Sequence, residues 1–185
     1  MRSVALLFAL VGCSVGQYGD TGTNPDGSSA DSPMGGAGTL QISATASPTA
    51  GGGGQYNPSN IVAVWIEGPA GATFVKTIGR WAATRKQHLV AWNAAAGTTD
   101  ADAVSGATRA SYTPAVTATW NLQNRQGQVV PDGMYTVRME STDLNATLAT
   151  QNNQGTFTFV KGAAPEMQTG LSNGGFSNVS ITFTP

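Results

Sequence analysis

The residues best placed to do chemistry are Asp102-Ala103-Val104-Ser105-Gly106-Ala107-Thr108. One carboxylate and two hydroxyls fall close together, separated by small residues. Gly106 and Ala107 leave Thr108 accessible. Asp102 and Ser105 are then the residues that orient the loop. The same string also makes an ordinary turn capped by Asp102, and the residues alone leave both readings open. His88 is the only histidine. With Ser105 and Asp102 it supplies the residue types of a hydrolase triad, but nothing nearby provides an oxyanion hole. A single cysteine, Cys13, and a single histidine exclude a structural zinc site and a disulfide within the chain. No phosphate-binding glycine loop and no nucleophile elbow is present. No catalytic residue and no metal ligand is expected, and the chain is not expected to be an enzyme.

Composition narrows the class further. The 185 residues carry 9 Lys and Arg against 10 Asp and Glu, a net charge of −1, so nucleic acid is not an expected partner. Only 10% of residues are charged, and 24 are glycine. Low charge, abundant Gly and Thr, and short apolar runs point to strands and turns rather than a helical bundle.

Arg2 precedes an apolar run from Val4 to Val11. That run is too short for a lasting membrane span and suits the core of a signal peptide. It ends in Leu10-Val11-Gly12-Cys13, which resembles the lipobox of bacterial lipoproteins. The resemblance implies that 1–12 is a lipoprotein signal peptide and that Cys13 is the lipid attachment site. More than one acyl chain gives stable anchoring. Ser14, rather than Asp, follows the cysteine, which by the same resemblance favours the outer over the inner membrane in a cell with two. The expected address is the bacterial cell envelope, periplasmic or at the outer surface. Ser14 to Gly38 is rich in glycine and has no Lys or Arg. Such a composition cannot offset its chain entropy, so 13–38 reads as the lipidated Cys and a flexible tether.

Strand signals occupy 39–185. Leu40, Ile42, Ala44 and Ala46 alternate with polar or small residues, as do Val116, Ala118, Trp120 and Leu122. Ile61 to Ile66 is continuously apolar and reads as a strand buried on both faces. Thr73 to Ile78 returns after a turn. Tyr135, Val137 and Met139 alternate with Thr136, Arg138 and Glu140, which face the other way. Phe157 with Phe159, and Val179 with Ile181 and Phe183, add two more strands. The pattern predicts an all-β, antiparallel β-sandwich of about seven strands. Trp81, Arg85, His88, Leu89 and Trp92 recur at helical spacing, which predicts one short helix in a connection. That helix would cover the second face of the Ile61–Ile66 strand.

Three resemblances add to this reading. Asn60 to Glu67 with Phe74 to Ile78, Asp102 to Arg109, Trp120 through Pro131-Asp132-Gly133-Met134-Tyr135, and Phe176 to Pro185 resemble a family of predicted periplasmic proteins of unknown function. Trp120-Asn121-Leu122, Gly127, Pro131, Gly133 and Tyr135 resemble the Ig-like domain of flagellar hook-capping proteins, which implies an Ig-like sandwich. Asp102 to Thr108 resembles the target motif of periplasmic flavin transferases. This implies covalent FMN on Thr108, with Asp102, Ser105, Gly106 and Ala107 forming the rest of the cofactor-binding loop. A flavin transferase and membrane redox proteins are the partners it implies. The chain departs from the usual motif at Ala110, where flavin carriers have a hydroxyl residue. Lys76, Arg80, Arg85, Lys86 and Arg109 lie around the motif and are candidates to attract a phosphate. Trp81 and Trp92 are candidates to stack on a flavin ring or to pack the core. The reading that results is a lipid-anchored envelope accessory or binding module with covalent FMN. The alternative is a structural or adhesive Ig-like module without cofactor.

Overall fold

The computed structural model describes residues 38–49, 53–69 and 73–185. The segment read as a signal peptide, Cys13 and the segment read as a tether up to residue 37 lie outside the described residues. The strands are β1 (Thr39–Ala46), β2 (Ile61–Glu67), β3 (Phe74–Trp81), β4 (Val116–Trp120), β5 (Gly133–Thr142), β6 (Asn153–Lys161), β7 (Glu166–Asn173) and β8 (Phe176–Thr184). One helix, α1 (Val90–Ala96), interrupts them between β3 and β4. The strands form two antiparallel four-stranded sheets, in the orders β4-β1-β8-β7 and β3-β2-β5-β6. The protein is thus an all-β sandwich with one short helix.

The alternating residues meet between the sheets. Leu40, Ile42, Val116 and Trp120 from the first sheet pack on Val62, Val64, Tyr135 and Phe159 from the second. Trp120 and Tyr135 are each 1% exposed, and their rings meet edge to face at 5.6 Å. Edge-to-face packing of this kind adds to what area burial alone supplies. The Tyr135 hydroxyl donates to the Pro131 carbonyl at 2.7 Å, closing the corner before β5. Burial, helped by Asp132, pushes the Tyr135 phenol up to about 12, so it stays a donor across the physiological range.

The count comes to eight strands: β7, none of whose residues is buried, is the one that hydrophobic alternation does not mark. The helix does not begin at Trp81. That residue ends β3, in register with Val62 of β2. Ala83 to Arg85 form a turn, and α1 spans only seven residues. The helical spacing was genuine only at Leu89 and Trp92, which with Ala96 cover Ile61, Ala63 and Trp65. These residues form a second apolar layer, and β2 is buried on both faces as its sequence demands.

Strand register gives the sandwich two distinct ends. Gly133 begins β5 opposite Lys161, and Thr142 closes it opposite Ile61. The described chain enters at Gly38 and Thr39, beside Thr184, at the Gly133 end. The ring contacts between Trp120 and Tyr135, and between Phe159 and Phe183, align that end in both sheets.

Candidate functional site

β3 is the outer strand of its sheet, and an outer strand leaves backbone groups unpaired. The loop 102–108 covers that edge. One Asp102 oxygen accepts the Thr77 N–H at 3.3 Å, and the Ser105 hydroxyl accepts the Arg80 N–H at 3.1 Å. Ser105 N–H donates to the Arg80 carbonyl at 2.8 Å, and Gly106 forms a bridge with Trp81. A side chain at Gly106 would press on the Trp81 ring, 3.2 Å from a Cβ at that position. Glycine at 106 thus lets the loop lie against the Trp81 ring, which a Cβ would push back by a few tenths of an ångström. Just beyond, Arg109 and Asn60 exchange backbone hydrogen bonds at 2.8 and 2.9 Å.

Between these two anchored points lie Ala107, which is exposed, and Thr108, which is half-buried. The Thr108 hydroxyl has no hydrogen-bond partner among the described residues, whereas that of Ser105 is engaged. The loop is therefore not the loose segment its composition suggests. It is pinned on both sides and leaves one hydroxyl uncommitted. Thr108 adjoins the Asn60–Arg109 bridge at the start of β2, at the end opposite the one where the described chain enters.

Arg125 reinforces the first anchor. Its guanidinium donates to Asp102 at 2.9 Å, to the Ala96 carbonyl at 2.8 Å and to Asp100. It also lies over the Phe74 ring at 4.2 Å. Burial works against its charge, but Asp102 and Asp100 outweigh that and raise its pKa. No sequence motif marked Arg125. Only its distance in space from Asp102, not in sequence, gives it a role.

The other candidates separate. His88 Nδ1 faces the Ala146 carbonyl at 3.0 Å and its Nε2 faces Gln87, so no triad with Ser105 and Asp102 is assembled. Trp92 is fully buried and donates its indole N–H to Thr77 Oγ1 at 2.9 Å, so it belongs to the second apolar layer and offers no ring face. Trp81 is partly buried and carries Arg109 at 5.9 Å from its ring. Most of the basic residues are occupied too. Arg80 donates to the Ala103 carbonyl and lies over Trp92, and Arg85 lies over Tyr56 at 3.5 Å. Lys86 donates to Thr98, and Arg109 to Pro114. Lys76 alone of the five has no side-chain partner among the described residues. It lines a shallow groove of about 270 Å³ with Thr77, Asp102, Thr119 and Asn121.

Glu140 and Asp143, buried outside the loop as Asp100 is, serve the scaffold. Glu140 is fully buried and accepts the N–H groups of Ala91 and Trp92 at 3.0 and 2.8 Å, and the Asn152 amide at 2.8 Å. Burial raises its pKa, with these hydrogen bonds opposing. Asp143 is buried as well and accepts from the Thr49 hydroxyl, the Gly54 N–H and the Tyr112 hydroxyl. There burial is outweighed by the donors, and the pKa is lowered. No cluster of His, Cys, Asp and Glu fit for a metal occurs among the described residues.

Residues 54–152 match the model of a family described as "Predicted periplasmic protein (DUF2271)". The match takes in β2 to β5, α1 and the whole 102–108 loop, and stops short of β6, β7 and β8. No curated protein and no solved structure matches the chain.

Proposed function

The chain belongs to that family of predicted periplasmic proteins, and from this premise we propose that it is a non-enzymatic, lipid-anchored envelope module carrying FMN on Thr108. One observation carries the choice of residue: among the described residues the Thr108 hydroxyl makes no hydrogen bond, whereas Ser105 Oγ accepts the Arg80 N–H. Asp102 and Ser105 hold the loop on β3, so the acceptor is presented from a fixed base. Thr108 Oγ1 would attack the FMN phosphorus of a flavin dinucleotide in the transferase. A phosphoester forms, the bond to the departing nucleoside monophosphate breaks, and the hydroxyl proton leaves with that group or through a base of the transferase. The attached group supplies electron transfer outside the cytoplasm, where free flavin would diffuse away. Cys13 supplies the anchor.

A specific observation also favours the second reading. Asp102, Ser105 and Gly106 each close part of an open sheet edge, which a structural or adhesive module needs whether or not it binds a cofactor. The two readings part on one measurement. The full chain is co-expressed with an active flavin transferase and its intact mass recorded, with Thr108→Ala and Ser105→Ala beside it. The carrier reading expects one flavin on the wild type, none on Thr108→Ala, and reduced loading on Ser105→Ala. An unmodified wild-type mass beside a modified control substrate leaves the structural reading standing.

A further inference from the structure

Four strands end the two sheets: β4 and β7 in the first, β3 and β6 in the second. An outer strand offers unpaired backbone groups to any passing strand, and proteins blunt it with charge, kinks or cover. Three of these four are blunted. The loop 102–108 covers β3, which also carries Lys76 and Arg80. On β6, side chains of β7 take the outward groups. Thr156 N–H donates to Asn173 Oδ1 at 2.9 Å, Val160 N–H to Glu166 Oε2 at 2.7 Å, and Gln168 Nε2 to the Thr158 carbonyl at 2.8 Å. β7 itself carries Glu166, and two register shifts bend it. β4 has none of these devices. Its five residues, Val116-Thr117-Ala118-Thr119-Trp120, hold no charge and no proline. Among the described residues its backbone pairs with β1 alone, and the Arg109 guanidinium reaches only the Pro114 and Ala115 carbonyls before it. Beside Thr119, Trp120 and Asn121 the groove of about 270 Å³ keeps the flank open.

Residue types on this edge also repeat symmetrically about Ala118. Turned about a two-fold axis through Ala118, Thr117 meets Thr119 of a second copy and Val116 meets Trp120 of that copy. Thr117 and Thr119 are exposed, and Val116, Ala118 and Trp120 are buried on the inner face. Pairing in this register sets hydroxyl against hydroxyl outside and apolar against apolar within. A two-fold contact presents one patch to itself, so every charge in it meets its own kind. β3, with Lys76 and Arg80, would be repelled, whereas β4 brings no charge. The outer face beside it, with Gln41, Ser43, Ser180 and Thr182, is uncharged too. We propose that β4 is a self-association edge, and that antiparallel β4–β4 pairing joins the four-stranded sheets of two copies into one continuous sheet. The pairing is five residues long and buries less than about 1,000 Å², so the dimer is reversible.

Charge placed at the two exposed threonines tests the register directly. The full chain is followed by analytical ultracentrifugation over a concentration series, in density-matched detergent kept in excess over protein. Wild type should show a reversible monomer–dimer equilibrium. Thr117→Lys/Thr119→Lys sets like charges across the joint and should weaken association at least about tenfold. Thr117→Lys/Thr119→Glu changes the same two positions but sets opposite charges across the joint, and should associate as wild type does or more tightly. Both positions are exposed, and matching thermal melts for the two variants separate lost pairing from lost folding. A wild type that stays monomeric to about 1 mM overturns the proposal and leaves β4 open to an extended segment of another protein. Equal association in all three chains overturns it by placing the joint elsewhere. Equal loss in both variants overturns it by showing that positions 117 and 119 do not face each other.

Discussion

The protein has two apolar layers built on different terms. The layer between the sheets comes from four-stranded partners on each side, with alternating residues that have nowhere else to point. The layer between β2 and α1 comes from a helix of seven residues, too short to persist alone in water. It is held by Trp92 and Leu89 packing on Trp65, and by Glu140 accepting the helix's first free N–H groups. The difference teaches where the protein can loosen without unfolding. The first layer is the fold, and the second is an attachment to it.

Three substitutions sharpen that contrast. Trp120→Ala should cost about 3–5 kcal/mol and lower the melting temperature of the whole domain, since it empties the centre of the aromatic cluster. Trp92→Ala should cost less, about 2–3 kcal/mol, because α1 can detach locally. Amide exchange would then show faster exchange in α1 with the β-strands still protected. Equal loss of protection in both layers would merge them into one cooperative unit. Thr108→Ala should change stability by less than about 0.5 kcal/mol in chemical denaturation, as expected for a hydroxyl without a partner.

Glu140 and Asp143 extend the comparison to pH. Glu140, with its pKa raised above the ordinary 4.5, binds its proton more tightly when folded. Its titration therefore favours folding most at acid pH, and that contribution is lost as pH climbs through the raised value. Asp143, with its pKa held below the ordinary 3.8, does the reverse. Its contribution is present above that value and is lost as pH falls through the lowered one. Thermal melts from acid to neutral pH should show Asp143→Asn removing part of the acid-side decline. Glu140→Gln should flatten the slope above the ordinary glutamate range. Parallel curves for wild type and both variants would remove these groups from the account.

The strands were legible where one face is buried and the other wet, as at Val116–Trp120 and Tyr135–Met139. Ile61–Ile66 was legible because two-sided burial leaves no room for polar residues. β7 was not, because none of its residues is buried and packing constrains them little, whereas β4 at the other edge of the same sheet buries every second residue. Glu140 was read on the correct face of β5, but its burial was hidden, since that depends on α1 lying over it. The Asp143 hub was hidden for a related reason: its partners Thr49 and Tyr112 lie 94 and 31 residues away. Within the loop, the sequence singled out Asp102, Ser105 and Thr108. It did not show that the first two are bound to an edge strand while the third is free.

The placement of chain entry and loop at opposite ends has a dimensional consequence. β5 separates them by ten residues, roughly 30 Å at about 3.3 Å each. That offset belongs to the strands, which cannot be shortened without dismantling both sheets. The sandwich is thus a ruler of fixed length between its two ends.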